Sequence, residues 1–272
     1  MFSLATNGAP GRPNEDFVIA TTDIAIVIDG AGVPMGGCSH GVAWFARQLG
    51  ALTMASLVGQ PERCLSDGLS EGIRRVAGLH AHTCDLTDRG TPCAAVGILR
   101  VRDEHVDTLA LSDVTVVVEA VDGPVVTCDL GIEELCGTEP DALAGKTFGS
   151  PEHVSALAGL VECQTKSRNK PDGWWVAAAD PEAAQHAHTM TFPRRPGQRM
   201  AVMSDGATRP VDQMGLYDWT TYLAMLDKLG PIGLIEHVRE IETDDPAGKR
   251  FARTKRHDDA SIAMWTGAGL GK

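Results

Sequence analysis

Ile24-Ala25-Ile26-Val27-Ile28-Asp29-Gly30-Ala31-Gly32 carries five apolar residues without a break into an aspartate flanked by glycine. A short β-branched run bounded by turn residues reads as a buried strand. Asp29 falls at its end, so its carboxylate leaves the sheet edge toward whatever space lies above. The glycines let the backbone approach a ligand closely. On its own the stretch also suits a plain strand and β-turn, because Asp-Gly is a frequent turn pair.

The pattern recurs. Arg199-Met200-Ala201-Val202-Met203-Ser204 leads into Asp205-Gly206, and Asp258-Asp259 precedes Ala260-Ser261-Ile262-Ala263-Met264-Trp265. Near the N-terminus, Asn14-Glu15-Asp16 precedes Phe17-Val18-Ile19-Ala20. Acidic points at strand ends, spread along the chain, converge if their strands share one core. Ligands that are all oxygen suit magnesium or manganese rather than zinc.

Composition sets the frame. A chain of 272 residues suffices for one large domain or two small ones. The apolar runs are strand-sized, so no membrane span is expected, and the N-terminus lacks the basic and apolar regions of a secretory signal. A net charge of -12 argues against a nucleic-acid groove. The seven cysteines (Cys38, Cys64, Cys84, Cys93, Cys128, Cys136 and Cys163) are odd in number and include no Cys-x-x-Cys pair. The expectation is reduced thiols in a cytoplasmic protein, with neither a disulfide framework nor a zinc site.

Along the chain, Gly8-Ala9-Pro10-Gly11-Arg12-Pro13 is a turn-rich loop that delivers Arg12 and the acids after it. Val33-Pro34-Met35-Gly36-Gly37 is another loop. Helical spacing follows over 39–58 and 61–82. Short β-rich runs at 92–101, 105–111, 114–120 and 125–128, parted by tight turns, predict an antiparallel meander. Residues 131–173 are the least patterned part and read as a functional or mobile insertion, with a short helix over 151–163. Asp180 begins another helix, helical patterns return over 218–229 and 231–241, and 243–257 is a charged loop. Segregated helices and antiparallel strands indicate an α+β layered fold in one domain spanning 1–272.

Asn14-Glu15-Asp16, Asp29-Gly30-x-Gly32, Ser204-Asp205-Gly206 and Asp258-Asp259-Ala260-Ser261, in that order and strand context, resemble the metal-dependent protein phosphatase family, type 2C. Weaker correspondences are Gly90-Thr91-Pro92-Cys93-Ala94, Leu111-Ser112-Asp113, and Thr127-x-Asp129, the last without the family's following histidine. The resemblance implies a four-layer α-β-β-α sandwich of two antiparallel sheets flanked by helix pairs. It implies two manganese or magnesium ions, with Asp29 bridging them and the Gly30 carbonyl on one. Asp205 and Asp258 complete one shell, Asp16 holds the other ion mainly through water with Glu15 beside it, and Asp113 matches a carboxylate for a third ion.

Two departures stand out. Arg12 lies four residues before Asp16, where the family spacing is five, with Pro13 between; it is the candidate phosphate anchor. Ala31 stands where many eukaryotic members carry a histidine proposed as general acid, which leaves His40 and His257 as the nearby alternatives. Trp174-Trp175 is either a substrate platform or core. The expected activity is hydrolysis of phosphoserine or phosphothreonine in proteins. The rivals are a small phosphorylated metabolite as substrate, and a phosphatase-like binding module without turnover.

Overall fold

The structure is a computed structural model that describes residues 1–32 and 38–267, so the loop read at 33–37 lies outside the described residues. Two five-stranded antiparallel sheets face each other. One runs β1 (Phe2–Asn7), β10 (Ala260–Trp265), β9 (Met200–Met203), β6 (Thr115–Ala120), β7 (Gly123–Thr127). The other runs β2 (Phe17–Ala20), β3 (Ile24–Ala31), β4 (Cys93–Val101), β5 (His105–Leu111), β8 (His188–Pro193).

Strand alternation explains the layers. In β3, Ile24, Ile26 and Ile28 face outward onto Phe45 and Leu49 of α1 (Val42–Gly59) and Leu69 and Ile73 of α2 (Leu65–His80). Ala25 and Val27 face inward, into a core shared with Val116, Val202 and Ala263 of the opposite sheet. That sheet turns Val117, Ala201 and Ile262 outward onto Tyr222, Leu226 and Leu234 of α7 (Trp219–Asp244), and α6 (Asp205–Asp212) lies in the same layer. The order helix, sheet, sheet, helix is the four-layer α+β sandwich that the sequence resemblance implied. The sheets approach closely at Gly97, where a Cβ would stand 2.4 Å from Val114 Cγ1 and 2.5 Å from Val202 Cγ1.

The four β-rich runs match β4 to β7, but they form two hairpins rather than one meander: β4 and β5 pair in one sheet, and the chain crosses at Ser112–Val114 to pair β6 and β7 in the other. Gly230 takes a φ of 70° ahead of Pro231, and α7 bends there, at the break the sequence predicts. The edge strand β8 was not expected: only Phe192 is buried along it, so it offers no alternation to read. The helix expected at Asp180 is a 3-10 turn, Pro181–His186.

Residues 131–173 hold three helices, α3 (Gly131–Cys136), α4 (Glu139–Leu143) and α5 (Pro151–Ser167). Cys136 and Cys163 are joined in a disulfide, with Cα atoms 5.9 Å apart. This corrects the expectation of reduced thiols throughout. The two cysteines are 27 residues apart in the least patterned part of the chain, and only the packing of α3 beside α5 brings them to bridging distance. The insertion leans on the charged loop after α7: His153 Nε2 lies 3.1 Å from the Arg253 carbonyl, and Phe148 N donates to the Ala247 carbonyl.

Candidate metal centre

Asp29 continues the inward parity of Ala25 and Val27, so it points into the gap between the sheets at their end. Gly30 has the opposite parity, and a Cβ there would stand 2.5 Å from the Glu15 carbonyl oxygen and 2.6 Å from Val42 Cγ1. Only glycine fits this close approach. Ala94, opposite Gly30, exchanges both its backbone bonds with Ala177. The Gly30 carbonyl therefore faces the Glu15–Asp16 side, just before β2 begins.

The other acids arrive from both sheets. Asp16 immediately precedes β2, Asp205 opens α6 directly after β9, and Asp258 lies just before β10. Asp113 sits in the turn from β5 to β6, where Ser112 takes a left-handed φ of 64°. Ser204 stitches three of these segments together. Its hydroxyl donates to Asp16 Oδ2 at 2.8 Å and accepts from Ser261 N at 2.9 Å, while its amide donates to the Ser261 carbonyl. Asp259 braces the N-terminal loop by accepting from Ala9 N at 2.7 Å and Glu15 N at 2.8 Å.

These carboxylates lie near enough to raise one another's pKa values, although their oxygens are not drawn as tightly together as the donor atoms of a closed metal site. Burial pushes Asp16 up to about 7, reinforced by Asp205 and Asp259. Burial, with Asp16, Asp205 and Asp113 beside it, holds Asp29 well above the usual carboxylate range. Asp113 is pushed up to about 7 by burial and by Asp205. Asp205 is raised by burial and by Asp258. Like charges that share a poorly solvated space take up protons unless a cation neutralises them.

Asp258 behaves differently. Burial would raise it, but Arg209, Lys255 and Arg12 overcome that and hold its carboxyl low. Arg209 Nη2 donates to Oδ2 at 2.7 Å, and Lys255 Nζ and Arg12 Nη2 donate to Oδ1 at 2.7 and 3.2 Å. Arg209 is fully buried and also donates to Glu242 Oε1 at 2.8 Å. Arg12 therefore reaches the cluster despite its shortened spacing, and its side chain stays 37% exposed.

The residues fit divalent cations with oxygen ligands. Asp16 Oδ1 is buried without a hydrogen-bond partner among the described residues, as are Thr53 Oγ1, Arg209 Nε, Gln213 Oε1 and Arg239 Nε, but of these it alone is a carboxylate oxygen, free to accept a cation. Asp29, Asp113 and Asp205 are half-buried, so part of each carboxylate is open to a ligand. Asp258 is the exception, because its oxygens already accept from three cationic side chains and from Asp259 N.

The histidine candidates lie elsewhere. His257 Nδ1 is 2.9 Å from Glu242 Oε2, and the His40 ring stacks on Trp44 with Nδ1 3.3 Å from Cys84 Sγ. Trp174 is buried with its Nε1 donating to the Gln164 carbonyl, and Trp175 stacks on His186 at 3.7 Å. Asp129 accepts from Gly131 N and caps the turn into α3.

Ser204, Arg209, Lys255, Glu242 and Glu139 were not singled out in the sequence. Glu139 comes from the insertion; burial raises its pKa, with Asp205 contributing, and Thr254 Oγ1 donates to it at 3.0 Å. Ser204 was within reach of sequence reasoning, as the residue before Asp205-Gly206. The others carry no local signal.

No family model matches the chain, and no curated protein matches its sequence. Solved structures match its fold. The catalytic domain of the serine/threonine protein phosphatase PstP, in complex with two manganese ions, aligns at a TM-score of 0.56 and 14% identity over 97% of this chain and 96% of that one. The PPM phosphatase MsPP from Mycobacterium smegmatis, in complex with cacodylate, aligns at 0.54 and 14% identity over 97% of each chain. The serine/threonine phosphatase Stp1 from Staphylococcus aureus aligns at 0.54 and 11% identity, over 100% of this chain and 95% of that one. The protein thus has the fold of the PPM-type phosphatases across nearly its whole length.

Proposed function

We propose that the protein is a metal-dependent phosphatase of phosphate monoesters, acting on phosphoserine or phosphothreonine in proteins. The observation that carries the reading is the open, buried oxygen of Asp16 inside a cluster whose carboxylates are driven to protonate without a cation. Asp16, Asp29, Asp205 and the Gly30 carbonyl would hold two manganese or magnesium ions, Asp113 would serve a third ion, and Asp258 would complete one shell by exchanging a cationic partner for the metal. Bound ions of this kind lower the pKa of a water nucleophile and neutralise charge on phosphoryl oxygens.

The chain's own residues position the substrate. Arg12 is held at the cluster by Asp258 and is partly exposed, so the rest of its guanidinium fork is available to a phosphate. Lys255 and Arg209 hold Asp258 ionised and in place. A separate open cleft of about 570 Å³, lined by Lys146, Lys249 and Arg250 and by none of the carboxylates of the cluster, would suit an anionic segment of a protein substrate. We read the whole chain as one phosphatase domain, with 131–173 an insertion at the edge of its site. Among the described residues no helix is long and apolar enough to cross a membrane. Five free cysteines support the cytoplasmic setting expected from the sequence, and the Cys136–Cys163 bridge pulls the other way.

The test is phosphate release from p-nitrophenyl phosphate and from a phosphoserine peptide, with and without Mn2+. Metal-dependent release from both is expected. Release from neither, with the metal bound, would turn the reading to a binding module.

A further inference from the structure

A second cluster lies outside the carboxylates and has different chemistry. Cys38, His40, His80 and Cys84 each turn one donor atom toward a common centre, with all four atoms within 4.8 Å of one another. Cys38 Sγ is 3.5 Å from His80 Nδ1 and 3.7 Å from His40 Nδ1. Cys84 Sγ is 3.4 Å from Cys38 Sγ and 3.3 Å from His40 Nδ1. A tetrahedral zinc ion with Zn–S near 2.3 Å and Zn–N near 2.0–2.1 Å separates its ligand atoms by roughly 3.3–3.8 Å. The four edges given fall in that range, and the remaining two, His40–His80 and His80–Cys84, are within 4.8 Å. We propose that Cys38, His40, His80 and Cys84 form a structural Zn2+ site.

The local fold presents these donors deliberately. Cys38 and His40 lie two residues apart in the bend that leads into α1, with both donor atoms turned to the same centre. His80 ends α2, and the turn after it brings Cys84 N to the His80 carbonyl at 2.9 Å, which stacks Cys84 one helical turn beyond His80. His80 is buried, with its ring packed edge-on against Trp44 at 5.2 Å, so its orientation is fixed before any ion arrives. Among the donors there is no carboxylate, and thiolate with imidazole selects zinc over the hard cations suited to the acid cluster. The earlier expectation of no zinc site relied on the absence of Cys-x-x-Cys; here the pairs are Cys-x-His and His-x-x-x-Cys, brought together by the α1–α2 hairpin. The ion would tie the end of α2 to the chain entering α1, whose Val42 packs against Gly30.

The experiment uses the full chain, reduced and stripped with a chelator, then loaded with Zn2+ or Co2+ alone. One equivalent of zinc is expected to survive desalting, and cobalt is expected to give tetrahedral and thiolate-to-cobalt absorption. Losing even an outer-shell partner of a metal costs about 10–100-fold in affinity, so Cys84→Ser and Cys38→Ser should each weaken zinc by at least tenfold while circular dichroism stays native. Asp29→Asn should keep both zinc and the cobalt spectrum, which separates this site from the phosphatase reading. Zinc binding untouched by Cys84→Ser, cobalt bound without thiolate absorption, or a reduced protein that binds neither ion and only closes a Cys38–Cys84 disulfide in air would each overturn the proposal.

Discussion

The carboxylate cluster and the Cys/His cluster lie on either side of the same connection from β3 to α1, and they are built in opposite ways. The first gathers like charges from strand ends of two sheets, so repulsion is its main physical property, and Arg209, Lys255 and Arg12 partly offset it at Asp258. The second gathers two thiols and two imidazoles from helix ends, and an ion would bind them with the thiols deprotonated. A rigid sheet edge tolerates forced proximity of anions. A helix hairpin sets soft donors at close range and lets an ion complete them. The first arrangement suits reversible, open coordination of hard cations, and the second suits a closed structural site.

The largest expected effect breaks one side of this comparison alone. Asp29→Asn and Asp205→Asn should each lower metal-dependent turnover of p-nitrophenyl phosphate on the order of 10³-fold, the scale of several kcal/mol of lost transition-state charge stabilisation. Zinc content should not change. Because both substitutions also relieve repulsion in the apo cluster, the variants should melt no lower than the parent without metal. Near-normal turnover at saturating Mn2+ would sink the assignment of these residues as ligands.

Arg12→Ala comes next. The side chain now touches Asp258 rather than standing off in its loop. A phosphate anchor that acts in ground state and transition state alike raises KM and leaves kcat nearly untouched. A rise in KM of about tenfold corresponds to roughly 1.4 kcal/mol, within the range of a charge-assisted hydrogen bond. If kcat falls and KM does not, Arg12 acts by positioning Asp258 instead.

A smaller effect sharpens the electrostatic contrast. Asp16 and Asp113 titrate near 7 in the folded protein, far above the ordinary carboxyl value of about 3.9 expected when unfolded. A raised carboxyl contributes stability that is complete below the unfolded pKa and is lost as pH rises through the folded one. The melting temperature of metal-free protein should therefore fall as pH climbs from about 4 toward about 7 and level off above it, and Mn2+ should flatten that slope by stabilising the ionised ligands. Zn2+ at the Cys/His cluster should also raise the curve, increasingly toward high pH because its thiol and imidazole ligands bind deprotonated, and this gain should vanish in Cys84→Ser while the Mn2+ effect persists. A metal-free melting temperature that rises with pH over this interval contradicts the picture of mutually strained acids.

How legible the two clusters were follows from how they are built. Asp29, Asp205 and Asp258 each adjoin an apolar run, so the strand and its terminal acid are read together, and the layered fold follows from the same runs. The clamp on Asp258 was hidden because Arg209 lies inside a helix with Pro210 and Glu242 inside α7, and only the packing of α6 on α7 makes them partners. Glu139 was hidden in an insertion without periodicity. The Cys/His donors were hidden by distance along the chain, since His80 and Cys84 are separated from Cys38 by the whole α1–α2 hairpin. Local motifs record strand ends well and helix-to-helix juxtapositions poorly.

The smallest expected effect concerns the leaving group. Ala31 pairs with Cys93 across β3 and β4 and carries no proton to give. A nitrophenolate departs without one, whereas a serine alkoxide gains roughly 10²–10⁴-fold from a positioned acid. Among the described residues, neither histidine in reach by sequence hydrogen-bonds to Asp16, Asp29, Asp113 or Asp205. His257 is held by Glu242, and His40 stands among the sulfur and nitrogen donors of the second cluster. His257→Gln and His40→Gln should therefore leave the ratio of rates on p-nitrophenyl phosphate and a phosphoserine peptide unchanged. Only His40→Gln should also release zinc. A ratio that climbs toward the nitrophenyl ester in either variant, because the peptide rate alone collapses, would identify that histidine as the missing acid.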